Sequence, residues 1–167
     1  MKDILITNVR LMDPASSRDE TTHIYISDGR ISNIGEQLAA TVTIDGRGLI
    51  AAPGLIDMRV STGEPGNEHR ETIDSAANAA MAGGITSMVI MPDTDPVIDD
   101  ISLIHYIERQ GAETPVNIHA AGAITKGLDG ESLTELGLMS EAGAVMFANG
   151  ERSITDAQIM RLSLIHI

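Results

Sequence analysis

Ala52-Pro53-Gly54-Leu55-Ile56-Asp57-Met58-Arg59-Val60-Ser61 is the stretch at which the chain changes rhythm. Upstream of it, residues 4–9, 23–27, 30–34 and 41–44 are short runs rich in β-branched residues, each predicted as a strand. Asp28-Gly29 is a hairpin turn signal between two of them, and Asp45-Gly46 with Gly48 ends the last. Residues 13–22 are polar and include Pro14, which predicts a surface loop. Downstream, strand and helix alternate. Residues 55–60, 86–91, 116–121 and 144–148 are apolar enough for buried strands. Residues 71–82, 101–109 and 131–141 carry helical spacing, and residues 155–161 begin a fourth helix. Gly83-Gly84 closes the first helix, and Asp99 and Asp100 stand favourably at the positive N-terminus of the second.

Strands buried on both faces and joined through helices imply right-handed βαβ units in a parallel sheet. Without a glycine-rich phosphate fingerprint, four such units favour the first half of a (β/α)₈ barrel over a dinucleotide-binding fold. The expected fold class is therefore α/β: part of a β-sandwich in residues 1–51, then half of a TIM barrel in residues 52–161, truncated. A fourth strand with no fifth beside it leaves an open edge, so the isolated chain is expected to fold poorly or self-associate. Leu162-Ser163-Leu164-Ile165-His166-Ile167 reads as the translation of a transposase end sequence used in sequencing libraries. Residues 162–167 are accordingly expected to be a foreign tail, and His166 is set aside as a ligand.

Composition narrows the function. The chain has no Cys, which excludes disulfides, thiolate catalysis and Cys-ligated metal. The net charge is −13, with −2 in residues 1–50 and −11 in the remainder. Such a surface repels phosphate backbones, and Tyr25, Tyr106 and Phe147 are the only aromatic residues available for base stacking. Nucleic acid is not an expected partner. No apolar run approaches the roughly 20 residues of a membrane span, and residues 1–3 do not open a signal peptide, so a cytoplasmic location is expected.

Five motifs follow one another in order. They are Pro53-Gly54-Leu55-Ile56-Asp57, then Glu64-Pro65-Gly66 with Glu68-His69-Arg70-Glu71-Thr72. Next come Ala82-Gly83-Gly84-Ile85-Thr86 with Met91-Pro92-Asp93-Thr94-Asp95-Pro96, then Ala123-Ile124-Thr125-Lys126-Gly127-Leu128, and finally Glu141-Ala142-Gly143-Ala144-Val145. Together they resemble the amidohydrolase superfamily, within it the dihydroorotases, and most nearly the non-catalytic bacterial homologues of these enzymes.

The resemblance implies a zinc-dependent cyclic amidohydrolase of pyrimidine biosynthesis, with Asp-x-His-x-His at the end of the first barrel strand. Here the ligand positions hold Arg59 and Ser61, and Asn149 stands where the family has the fourth-strand Asp. Gly63 replaces the Arg that clamps the substrate carboxylate, and Asp93 replaces an Asn. Arg has no lone pair to offer a metal, and Asp93 would repel an anionic substrate. No catalytic residue and no cofactor are therefore expected. The implied role is a scaffold subunit for aspartate carbamoyltransferase, oligomeric at full length. The alternatives are an active dihydroorotase and a fragment without function.

Other candidates have simpler readings. His119, near the expected end of the third strand, is predicted to be a hydrogen-bonded structural residue. His69 and Glu71 are expected to order a loop rather than act as an acid–base pair. Thr125-Lys126-Gly127 lacks the glycine spacing of a phosphate loop. Arg59 is expected to face inward with Asp57 and Ser61 and to pair with Asp57 and Asp93. Its loss should then cost a few kcal/mol.

Overall fold

The computed structural model describes residues 2–166. Ile167, the last residue of the expected foreign tail, lies outside them. The chain forms two compact units that meet at Pro53 and Gly54.

The first unit is a five-stranded sheet: β1 (Ile4–Asp13), β2 (Arg18–Ser27), β3 (Arg30–Ile34), β4 (Val42–Asp45) and β5 (Ile50–Ala51). Its order is β3-β2-β1-β4, and β5 also pairs with β1. β2 and β3 are antiparallel to their neighbours, whereas β4 and β5 run parallel to β1. Asp28 and Gly29 both take positive φ (50° and 73°), which is the tight hairpin that the Asp-Gly pair predicts. Val9, Leu11 and Ile24 form the core of this unit, with Ile6, Ile26, Ile34 and Ala51 around them. The predicted loop over 13–22 shrinks to a turn at residues 14–17, because the ladder continues to Asp13↔Arg18. Polar residues pair across this exposed end; Arg10 Nε stands 2.7 Å from Asp19 Oδ1. Polarity alone mistook a solvated strand for a loop.

The second unit is a four-stranded parallel sheet in the order β6 (Leu55–Val60), β7 (Ile85–Ile90), β8 (Asn117–Ala123), β9 (Met146–Ala148). Helices α1 (Ile73–Ala82), α2 (Ile101–Gly111), α3 (Leu136–Glu141) and α4 (Ala157–His166) alternate with the strands. The main core joins Ile73, Ala76, Ala77 and Ala80 of α1 to Ile104 and Ile107 of α2 and to Met88, Ile90, Ile118 and Ala120 of the sheet. Small alanines on one face of α1 let it lie close to the strands, and the isoleucines fill the remaining space. A smaller cluster of Val89, Met91 and Ala121 occupies the other side of the alternation. This is the expected βαβ succession.

Helix boundaries follow the caps. Thr72 caps α1 and exchanges hydrogen bonds with Ser75. Asp100 caps α2, its carboxylate accepting from the backbone N–H groups of Ser102 (2.7 Å) and Leu103 (3.2 Å). The Ser102 hydroxyl, then those backbone groups, hold the Asp100 carboxyl below its ordinary value. Asp100→Ala is expected to cost about 1 kcal/mol of stability at neutral pH, measured by urea denaturation. Because the folded value is the lower one, this contribution is present above the ordinary carboxylate range. It is lost as pH falls through the folded value, where wild type and variant should converge.

Two predicted helices differ. The helix expected over 131–141 is confined to Leu136–Glu141. Its first residues turn back onto the end of β8: the Ser132 carbonyl accepts from Lys126 N–H (2.9 Å), and Thr134 Oγ1 donates to the Ala123 carbonyl (2.7 Å). These tertiary hydrogen bonds override local helix propensity. The fourth helix, expected to begin within residues 155–161, starts at Ala157. It runs on to His166 with Ser163 buried, so the described part of the expected foreign tail continues the helix.

Candidate functional site

The C-terminal ends of parallel strands are where a barrel displays its chemistry. In this unit those ends bring together Arg59 and Ser61 from β6 and its exit, Asp93 after β7, the loop of residues 125–130 after β8, and Asn149 after β9. Asp93, Thr94, Val97, Gly127, Leu128, Glu151 and Arg152 line a cavity of about 320 Å³ there. Leu128 takes φ 60°, a conformation disfavoured for its side chain, and is buried at this cavity.

Asn149 is buried and fully engaged. Its Oδ1 accepts from Thr125 Oγ1 (2.7 Å) and from Thr125 N–H (3.3 Å). Its Nδ2 donates to the carbonyls of Leu128 (3.5 Å) and Arg152 (3.4 Å). Thr125 Oγ1 in turn accepts from Gly130 N–H (3.0 Å). The amide thus ties the loop after β8 to the loop after β9, and it needs both halves: an oxygen that accepts and a nitrogen that donates.

Arg59 corrects an expectation. Its guanidinium reaches neither Asp57 nor Asp93 but stands 3.6 Å from Glu151, with side-chain exposures of 65% and 85%. The Asp57 carboxylate instead accepts from the backbone N–H of Arg59 (3.0 Å). The two side chains stand two residues apart on one strand, and the short Asp closes onto its own backbone while the long Arg extends past the strand end. An exposed pair of this kind is weak. Arg59→Ala is therefore expected to change stability by no more than about 0.5 kcal/mol, not the few kcal/mol of a buried charge; denaturant midpoints of the two proteins measure it.

Ser61 Oγ donates to Asp93 at 3.3 and 3.4 Å, joining two of the candidate positions. Gly63 is buried, and a Cβ there would collide with the carbonyl oxygens of Asn67 and Glu71. Those carbonyls belong to a closed loop: Gly63 N–H donates to Glu71 O (3.1 Å), and Asn67 N–H donates to Gly63 O (2.5 Å). Glu71 thus orders the loop through its backbone. No room is left for the clamping Arg that the resemblance places at this position.

Zinc is the metal implied by the resemblance, and these residues do not fit it. Arg59 carries no usable lone pair, the Ser61 hydroxyl is turned to Asp93, and the Asn149 oxygen is spent on Thr125. His119 does not join them. β8 begins at Asn117 and runs on to Ala123, so His119 is its third residue, beside Val89, and not at the C-terminal end.

The roles of three participants could not be read from the sequence. Glu151 lies in none of the quoted motifs, and Thr125, though quoted in one, is recognisable only through its partner. Glu64 is the third: its carboxylate accepts from Ile73 N–H (2.8 Å) and from the Tyr106 hydroxyl (2.6 Å), linking the loop after β6 to the start of α1 and to α2. Burial, and next the bond to Glu64, push the Tyr106 hydroxyl above its ordinary value. Glu64 belongs to a quoted motif, but its reach to Tyr106 spans 42 residues.

Comparison with known proteins agrees with this architecture. Among solved structures, an L-hydantoinase (dihydropyrimidinase) from Arthrobacter aurescens superposes with a TM-score of 0.78 at 24% identity, covering 96% of this chain and 37% of that one. A D-hydantoinase gives 0.74 at 21% identity, covering 98% and 37%. At these identities the likeness is one of fold. Among curated sequences, a dihydroorotase of Solibacter usitatus is 43% identical over 164 residues, 96% of this chain and 38% of the relative. One of Syntrophotalea carbinolica is also 43% identical, covering 96% and 39%. The chain thus spans less than two-fifths of the length of these relatives. A family model described as dihydro-orotase-like matches residues 48–165, which takes in the whole of the sheet β6-β7-β8-β9 and the loops that carry Arg59, Asp93 and Asn149. The chain belongs to the dihydroorotase-like family.

Proposed function

We propose that this chain serves a dihydroorotase-like protein of de novo pyrimidine biosynthesis that does not hydrolyse the cyclic amide and acts instead as a partner subunit for aspartate carbamoyltransferase. The observation that carries the non-catalytic reading is Asn149, whose amide oxygen and nitrogen are consumed in holding two loops together. A carboxylate at that place would serve a metal; this amide serves the backbone. Arg59 and the closed Gly63 loop point the same way, since one cannot bind a metal and the other cannot admit a clamp. The relatives named dihydroorotase support the pathway, and the partner rests on the resemblance of the motifs.

The test uses the protein at its full natural length, expressed with added zinc. Elemental analysis is expected to find far less than one zinc per chain, and dihydroorotate hydrolysis is expected to stay at the uncatalysed rate. Aspartate carbamoyltransferase from the same organism is expected to co-elute with it on a sizing column. About one bound zinc per chain together with turnover would overturn the non-catalytic role in favour of an active dihydroorotase. Separate elution at micromolar concentrations would overturn the partnership.

A further inference from the structure

Of the asparagines in the chain, Asn149 alone precedes a glycine. An asparagine side chain cyclises most readily at such a bond, because glycine has no side chain to shield its backbone nitrogen and leaves the chain free to turn. In that reaction the Gly150 nitrogen attacks Asn149 Cγ and forms a bond to it. The bond from Cγ to Nδ2 breaks, and Nδ2 leaves as ammonia with the proton that the Gly150 nitrogen gives up. Water then opens the cyclic imide at either carbonyl, leaving an aspartyl or an isoaspartyl residue. The attack has two requirements. Cγ must swing onto the Gly150 nitrogen, and the peptide plane between the two residues must rotate to meet it.

The folded chain restrains both movements. Asn149 Oδ1 is held by the Thr125 hydroxyl (2.7 Å), and Nδ2 by the carbonyls of Leu128 (3.5 Å) and Arg152 (3.4 Å), which keeps Cγ on the loop after β8. Arg152 N–H donates to the Asn149 carbonyl (3.1 Å), closing a turn in which Gly150 takes φ 60°. Asn149 is 7% exposed, so the water that the second step needs is also kept away. We propose that Asn149-Gly150 is a gated deamidation site, and that the gate is the tie between the loops after β8 and β9. The amide survives while the tie is closed and is lost once the loop of residues 125–130 lets go. The step runs one way. Its product has no Nδ2 to donate to Leu128 and Arg152, and the isoaspartyl form also adds a carbon to the main chain. An opening that ends in reaction therefore leaves two loops that cannot be tied again.

Trypsin releases residues 127–152 as one peptide, in which Asn149 is the only Asn or Gln. The mass gain from amide to acid in this peptide therefore reports Asn149 alone; isomerisation at Asp129-Gly130 leaves the mass unchanged. The protein at its full natural length is incubated at mildly alkaline pH, both folded and in denaturing urea, and sampled over time. The folded protein is expected to react at least about a hundredfold more slowly than the unfolded one. Thr125→Val, which removes the hydroxyl and keeps the size, is expected to react several-fold faster than the wild type with unchanged far-ultraviolet circular dichroism. Thr125→Ser, which keeps the hydroxyl, is expected to react at the wild-type rate. Equal rates for the folded and unfolded wild type would overturn the proposal, and that comparison depends on no variant. A folded Thr125→Val protein that reacts no faster than the wild type would also overturn it, because the protection would then come from the turn at Gly150 and not from the tie.

Discussion

Asn149→Asp is expected to lower the unfolding free energy by about 3 kcal/mol at neutral pH, although it changes a single atom and restores the residue type found in the catalytic family. The new carboxylate oxygen would replace the Nδ2 that now donates to Leu128 and Arg152, and would face their carbonyl oxygens in a buried site. Acceptor would oppose acceptor, and a charge would be buried. Burial and this repulsion raise the folded-state value of such a carboxyl above its unfolded value. The penalty is therefore full above the folded value and shrinks as pH falls toward the unfolded one, where both states hold the proton. Urea denaturation of both proteins at pH 7 and at mildly acid pH measures this. A variant as stable as the wild type at pH 7 would show that the amide nitrogen contributes nothing. Zinc should not restore the lost stability, because Arg59 and Ser61 still occupy the neighbouring positions.

Gly63→Arg carries the second large effect, an expected loss of about 3 kcal/mol. The family clamp is an Arg at this position, but here any Cβ would overlap the carbonyl oxygens of Asn67 and Glu71. Both belong to backbone that cannot swing aside without breaking the bonds Gly63 N–H to Glu71 O and Asn67 N–H to Gly63 O. Gly63→Ala should cost nearly as much, since the collision begins at Cβ and not at the guanidinium. Thermal unfolding of the two variants checks this. A mild Ala variant beside a damaging Arg variant would locate the problem in the long side chain instead.

The strand–helix succession was legible because its signals are local. β6 falls where the apolar run of residues 55–60 places it, and α2 begins just past the acidic pair Asp99 and Asp100, whereas α1 starts two residues later than the predicted 71 because Thr72 caps it. Where the sequence misled, a distant partner had intervened. Residues 18–22 look like loop until β1 is laid beside them. Residues 131–135 look helical until Ser132 and Thr134 are taken up by the end of β8. The site divides in the same way. The identities of Arg59, Ser61, Gly63, Asp93 and Asn149 could be read one by one, but the partner of Arg59 could not. Glu151 lies 92 residues further along, and nothing in its own neighbourhood marks it.

By itself the sequence determined the order of strands and helices, the family, and the chemical types available at the strand ends, since periodicity, turn residues and motifs act within a few neighbours. Only the tertiary structure decided what those residue types do. It turned Asn149 into a four-bond tie between two loops, sent Arg59 to an exposed Glu151, and filled the space beside Gly63 with backbone. The physical reason is that hydrogen bonds, ion pairs and steric exclusion act over a few ångströms of space, and folding sets which residues come that close without regard to their separation along the chain.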